Sequence, residues 1–305
     1  MTRQRDSTTP AIRTESLTKF YGSDRGVEKL DISVVPGEIF GFLGPNGAGK
    51  TTTIRLLLDL IRPTAGRLEL FGLNPRSNPA LRRRIGYLPG DLRLYERLTP
   101  REQLAYFARL RGLESLGTAP ALAERFALEL DRPIKSLSRG NRQKVGIVQA
   151  FMHEPELLVL DEPTSGLDPL VQQTFNELLQ ETRAAGSTVF LSSHVLPEVQ
   201  HVADRVALLR EGRLVLAETV ETLRERAFTH VEATFDEPPP AAAFAGLPGV
   251  RELERRGSTV VFALQGEADP LVKVLAGYHV RNLDSHEADL EDVFLSLYRS
   301  DGHAP

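Results

Sequence analysis

Gly44-Pro45-Asn46-Gly47-Ala48-Gly49-Lys50-Thr51-Thr52 sets three glycines beside one lysine and two threonines, directly after the apolar run Ile39-Phe40-Gly41-Phe42-Leu43. Gly44, Gly49, Lys50 and Thr51 fit the spacing G-x-x-x-x-G-K-[ST]. Glycines let main-chain N–H groups turn inward around a phosphate, and a helix starting here adds the favourable end of its dipole. Lys50 is suited to neutralise β- and γ-phosphates, and the Thr51 hydroxyl to ligate Mg²⁺, which keeps most of its waters. The stretch reads as a nucleoside triphosphate site. Many unrelated enzymes share it, so it names no reaction.

A second cluster narrows the chemistry. Leu157-Leu158-Val159-Leu160 ends in the acids Asp161 and Glu162. A strand delivers its last residues to the carboxyl edge of an open sheet, where ligands gather. Asp161 is expected to hold Mg²⁺ through water, and Glu162 to accept a proton from, or orient, an attacking water. Leu137-Ser138-Arg139-Gly140-Asn141 precedes a helical stretch, Arg142 to Met152, making a second helix N-terminus ready for an anion, with Ser138 as its cap. His194 follows the strand-like Thr188 to Ser193; a single histidine there is more often structural than catalytic.

These residues need a scaffold that brings strand ends and helix tips together. Strand-rich and helix-period segments alternate through most of the first 217 residues, the pattern of a parallel sheet flanked by helices. Candidate strands are Glu38 to Leu43, Leu68 to Phe71, Leu157 to Leu160, Thr188 to Ser192 and Val206 to Leu209, with a helix from Thr52 to Leu60. From about 92 to 150 the strand signal gives way to a largely helical insert, where Thr99-Pro100-Arg101-Glu102 marks a helix start. Residues 218–305 read as a small α+β domain after an α/β domain at 11–217. Its strands are expected at Val231 to Phe235, Thr259 to Leu264 and Val280 to Leu283, and its helices at Pro270 to Gly277 and Leu290 to Tyr298.

Composition sets outer limits. With 41% hydrophobic and 26% charged residues the 305-residue chain can bury a full core, and its net charge of -4 argues against a nucleic-acid partner. It has no cysteine, which excludes disulfides, thiolate metal sites and a cysteine nucleophile. The polar start MTRQRDSTTP has no apolar signal region, and no apolar run reaches the roughly 20 residues of a membrane helix. Any membrane role is therefore expected to go through a partner.

Taken in order, the clusters resemble the ATP-binding subunits of ABC transporters, over about residues 11 to 217. GPNGAGKTT is similar to the Walker A segment, LSRGN to a degenerate LSGGQ signature, LLVLDEP to Walker B with its glutamate, SGLDP (Ser165 to Pro169) to the D-loop, and His194 to the switch histidine. Tyr21 stands where such proteins place a ring that stacks on adenine. The resemblance implies a P-loop NTPase fold, ATP and Mg²⁺ as ligands, and hydrolysis of ATP. It also implies a head-to-tail pair of copies in which Ser138, Gly140 and Asn141 of one copy reach the γ-phosphate held by the other. Asp168 would couple the two sites, and Glu162, Lys50 and His194 would carry the chemistry.

Two departures stand out. Gly90 follows Ile85-Gly86-Tyr87-Leu88-Pro89 where most relatives have a glutamine, and Arg139 and Asn141 replace a glycine and the glutamine of LSGGQ. The flanking Leu94-Tyr95-Glu96-Arg97-Leu98-Thr99 and the ending Leu290-Glu291-Asp292-Val293-Phe294-Leu295 look like the bacterial exporter subgroup for drugs, antibiotics, lipids or polymers. That resemblance implies a separately encoded permease and a place at the cytoplasmic face of the membrane. Importer duty, or a non-transport ABC ATPase, is the alternative. Non-transport relatives carry two ATP-binding halves or long coiled coils, and this chain shows one set of motifs and no heptad run.

Overall fold

The computed structural model describes residues 9–226 and 228–286. The chain divides after Glu218 into two compact units. The first opens with β1 (Ile12–Tyr21), β2 (Asp24–Leu30), β3 (Ser33–Val34) and β4 (Ile39–Leu43), then α1 (Lys50–Leu57), β5 (Ala65–Leu70) and β6 (Ile85–Leu88). Three helices follow, α2 (Pro100–Arg111), α3 (Ala119–Arg125) and α4 (Arg139–Phe151). The unit continues through β7 (Leu157–Asp161), α5 (Pro169–Ala184), β8 (Thr188–Ser193), α6 (Leu196–Gln200), β9 (Arg205–Arg210) and β10 (Arg213–Thr219).

A six-stranded sheet runs in the order β10-β9-β4-β8-β7-β6, with β9, β4, β8, β7 and β6 parallel. Every residue of β4, β7 and β8 is buried, which explains why their apolar residues run consecutively rather than alternate: strands covered on both faces need no alternation. The Phe190 ring packs 5.9 Å from Phe40 and 5.1 Å from Phe42. Each such side chain contributes about 2 kcal/mol by leaving water. Below them α1 buries Ile54, Leu56 and Leu57. This core holds β4 rigidly between β9 and β8, with β7 one strand further on.

Several expectations need correction. The strand expected at Leu68 to Phe71 runs from Ala65 to Leu70 and lies outside the parallel sheet: it pairs antiparallel with β1, from Ile12 opposite Leu70 to Thr18 opposite Ala65, in a separate sheet with β2 and β3. Helix α1 starts at Lys50 rather than Thr52 and ends at Leu57 rather than Leu60, since Gly49 turns the chain directly into it. Helix α4 starts at Arg139 rather than Arg142, as Ser138 already caps it. Between β6 and β7 the chain forms only helices and turns. Thr99 caps α2 with the reciprocal pair expected of its sequence: Thr99 N–H donates to Glu102 at 2.8 Å and Glu102 N–H to Thr99 Oγ1 at 3.2 Å.

The second unit holds α7 (Val220–Arg226), β11 (Thr229–Phe235), β12 (Val250–Arg256), β13 (Thr259–Leu264), α8 (Asp269–Leu275) and β14 (Val280–His286). Its antiparallel sheet runs β12-β13-β11-β14, and Phe235, Phe244, Phe262, Leu271 and Leu275 share its core. The helix expected at Leu290 to Tyr298 lies outside the described residues. Among the described residues no helix is long and apolar enough to cross a membrane.

Candidate active site

Strand β4 hands the chain to the glycine loop in a place with no room for side chains. A Cβ on Gly44 would stand 2.4 Å from the Leu209 carbonyl oxygen, and one on Gly49 2.4 Å from that of Gly26. Gly49 also sits at φ 107, a left-handed conformation that costs any other residue free energy. Neighbouring strands therefore demand bare backbone before any ligand is considered. The Ala48 N–H donates to Pro45 O at 3.1 Å and the Ala48 carbonyl accepts from Gly212 N at 2.9 Å, so Ala48 pins the loop to the sheet edge.

Lys50, only 6% exposed, donates to the carbonyls of Gly44 at 2.6 Å and Pro45 at 3.2 Å and lies 3.4 Å from Glu162 Oε1. It borders a cleft of about 300 Å³ with Tyr21, Arg25, Gly26, Pro45, Asn46, Gly47, Gly49, Thr51, Thr52 and Glu162. Tyr21 is 46% exposed at the cleft rim, and the Lys19 ammonium lies 5.2 Å from its ring centroid. Gly26 lets ring and loop approach, since a Cβ there would meet Tyr21 Cε2 at 3.0 Å and Thr52 Cγ2 at 2.9 Å.

Two adjacent acids at the end of β7 are sent to different partners. Asp161 is buried and accepts hydrogen bonds from Thr51 Oγ1 at 3.0 Å and Ser192 Oγ at 2.5 Å. Burial, with the Asp161 charge adding to it, pushes the Tyr87 phenol above its ordinary range. Glu162 adopts φ 50, and its N–H donates to Ser192 O at 3.2 Å. That turn carries its carboxylate to Lys50 and to His194, whose Nδ1–H donates to Glu162 Oε2 at 2.7 Å. One acid thus faces a hydroxyl pair suited to a hard cation, while the other faces the cleft with an imidazole beside it.

The remaining sequence-read residues lie elsewhere within one chain. Ser138 Oγ accepts from Asn141 N at 3.2 Å, and Asp168 caps α5 by accepting from Val171 N at 3.0 Å. Neither they nor Gly140 lines the cleft of Lys50. Gly90 passes beside Asp161, where a Cβ would stand 3.3 Å from Oδ2. Ser192 and Arg25 were missed. Ser192 is paired with Asp161 in the β7–β8 register and is fully buried. Its only signal was a pair of serines closing an apolar strand. Arg25 gave none, because it lines the cleft only through the pairing of β2 with β1.

A phosphate loop between a central parallel strand and a helix, opposed by an acidic strand end, defines a P-loop nucleoside triphosphatase. Comparison with known proteins narrows this. The family model described as "ABC transporter" matches residues 27–165. The chain is 36% identical to the bacitracin transport ATP-binding protein BcrA of Bacillus licheniformis over 295 residues, covering 94% of this chain and 96% of that one. It is 35% identical to the Nod factor export ATP-binding protein I of Cupriavidus metallidurans, covering 95% and 97%. A solved structure described as an ATP binding subunit of an ABC transporter superposes with a TM-score of 0.67 at 33% identity, covering 71% of this chain and 92% of that one. The chain belongs to the ABC transporter family as an ATP-binding subunit, and its activity is ATP hydrolysis.

Proposed function

We propose that this chain energises export of a drug, antibiotic, lipid or similar substrate through a separately encoded permease, working at the cytoplasmic face of the membrane. Support comes from the relatives named for bacitracin transport and Nod factor export, which align along nearly the whole chain. In this reading ATP lies in the cleft with its base against Tyr21 and its β- and γ-phosphates against the main chain of Pro45 to Gly49, Lys50, Thr51 and Thr52. Lys50 leaves its loop carbonyls and Glu162 to pair with phosphate.

The oxygen set of Thr51 and Asp161, held 3.0 Å apart, fits Mg²⁺, which takes few protein ligands. Bound there, the ion would supply charge neutralisation on the phosphate oxygens. Glu162 accepts the proton of the attacking water, and His194 holds the Glu162 carboxylate in place and contacts the γ-phosphate. A second copy closes the site with Ser138, Gly140 and Asn141, and Asp168 sits at the joint between the two sites. ATP then favours the closed pair because only that state contacts the γ-phosphate from both sides.

The divergence of Asp161 and Glu162 carries the proposal, since it separates binding from hydrolysis. Glu162→Gln is expected to keep ATP affinity, lower the hydrolysis rate by about 10³-fold and accumulate an ATP-bound dimer on gel filtration. A Glu162→Gln protein that still hydrolyses at the parent rate removes Glu162 from the reaction.

A further inference from the structure

Arg139 occupies a position where the LSGGQ pattern has no side chain, and the structure gives its guanidinium a partner. Arg139 Nη2 donates to Ser165 Oγ at 2.9 Å. Its stem lies on the bare Cα of Gly166, which sits at φ 80; a Cβ there would meet Arg139 Nε at 3.1 Å and Cδ at 3.3 Å. Gly140 approaches the same turn, where a Cβ would stand 3.0 Å from Gly166 O. One helical turn further along α4, on the same face, Gln143 Nε2 donates to Pro163 O at 2.8 Å in a buried bond. Residues four apart on α4 therefore fasten the first half of the loop between β7 and α5, at Pro163 and at Ser165.

That loop begins at Glu162, and it is short and internally closed. Ser165 N–H donates to the Glu162 carbonyl at 3.2 Å, Leu167 N–H to Thr164 O at 3.0 Å, and Thr164 Oγ1 to Glu198 at 2.6 Å. From the Arg139 guanidinium to the main chain of Glu162 there are two hydrogen bonds, both through Ser165. A shift at the tip of α4 is thus passed to the residue whose carboxylate lies in the chain's own cleft.

We infer that Arg139 is a positioning residue: through Ser165 it ties the Ser138 tip of α4, which meets the nucleotide of the second copy, to the orientation of Glu162 at the chain's own nucleotide. The inference rests on the proposed two-copy site. It gives the pair a route by which filling one cleft prepares the other, built from a side chain that a glycine at this position would lack. Because the guanidinium forks, it can hold Ser165 while its stem covers Gly166, a geometry a lysine reproduces only in part.

The test uses the full chain with Arg139→Ala, Arg139→Lys, Ser165→Ala and the double Ala variant. Arg139→Ala and Ser165→Ala are each expected to lower kcat by about tenfold, as small misplacements of a catalytic group do, and to bring the Hill coefficient for ATP toward about 1 from a parent value that two sites limit to about 2. The double variant is expected to match either single one, and Arg139→Lys to recover part of the loss. ATP affinity by calorimetry and melting temperature are expected to stay at parent values, within about 3 °C for the latter. Hydrogen exchange of the 162–168 amides supplies a readout independent of turnover: ATP protects them in the parent and less so in both single variants. Unchanged kinetics and exchange overturn the inference. So does an impaired Arg139→Ala beside an unimpaired Ser165→Ala, which would put the guanidinium on phosphate instead. Failure of Glu162→Gln to dimerise with ATP would instead strike the two-copy reading, which separates the two failures.

Discussion

Between Leu43 and Lys50 the phosphate loop is shaped by main chain, whereas between Ser138 and Asp168 helix tips and a loop are held by side chains. In the first region Gly44 and Gly49 are forced by carbonyls 2.4 Å from where a Cβ would be, and the lysine folds back onto loop carbonyls. In the second, Arg139 and the caps Ser138 and Asp168 hold helix tips and a loop with single hydrogen bonds at exposed positions, and Gln143 with one buried bond. A backbone cradle admits almost no substitution and so keeps a fixed sequence. A side-chain joint admits exchange more readily, and Arg139 and Asn141 stand in such a joint.

Substitution can break this contrast, and the largest effect belongs to Gly49→Ala. Strain at positive φ and the clash with Gly26 O are together expected to cost about 2–4 kcal/mol of stability and to abolish nucleotide binding, checked by urea denaturation and calorimetry. Tolerance of alanine there would show the loop to be softer than its neighbours imply. Ser192→Ala comes next, since it strips buried Asp161 of a 2.5 Å hydrogen bond and shortens the support of Glu162. About 2 kcal/mol of stability and roughly tenfold in kcat should be lost, by denaturation and a phosphate-release assay. A larger loss from Ser192→Ala than from Gly49→Ala would invert the ranking of main chain over side chain.

At neutral pH the smallest effect lies away from the cleft, at His153, whose contribution emerges only in acid. Burial, with the charge of Arg111 beside it, pushes this imidazole down to about 4, against the pull of a 3.2 Å contact between Nε2 and Ile85 O. The unfolded chain takes up the proton near the ordinary value of about 6.5. The stability held by the neutral ring is therefore complete above about pH 6.5 and declines as pH falls toward 4, by at most about 3 kcal/mol. Urea midpoints between pH 7 and 4.5 should fall less steeply for His153→Gln than for the parent, and equal slopes would remove His153 from the acid response.

How much of this could be read from the chain follows from the same contrast. The strands Leu157 to Leu160 and Thr188 to Ser192 were legible because burial on both faces leaves an apolar run, Leu157 to Leu160 in one and Val189 to Leu191 in the other. Strand β1 was not, because a left-handed Ser16 and register shifts after Leu17 break its alternation. Strand β12, Val-Arg-Glu-Leu-Glu-Arg-Arg, carries too many charges to look like one and is defined by its pairing with β13. Contiguous motifs announced Lys50, Thr51, Asp161 and Glu162. Contacts between distant segments did not announce themselves: Ser192 meets Asp161 only because β8 lies beside β7, and Arg139 meets Ser165 only after α4 packs there.

The left-handed turn at Glu162 carries a cost in folding. A glycine or asparagine would occupy φ 50 more comfortably than glutamate, by roughly 1 kcal/mol. Gly or Asn at this position would relieve that backbone strain while losing the carboxylate that faces His194 and Lys50. Thermostability screening of this chain would thus tend to reward, at one position, proteins that lack the base proposed for hydrolysis, and a screen that also counts released phosphate would select against them.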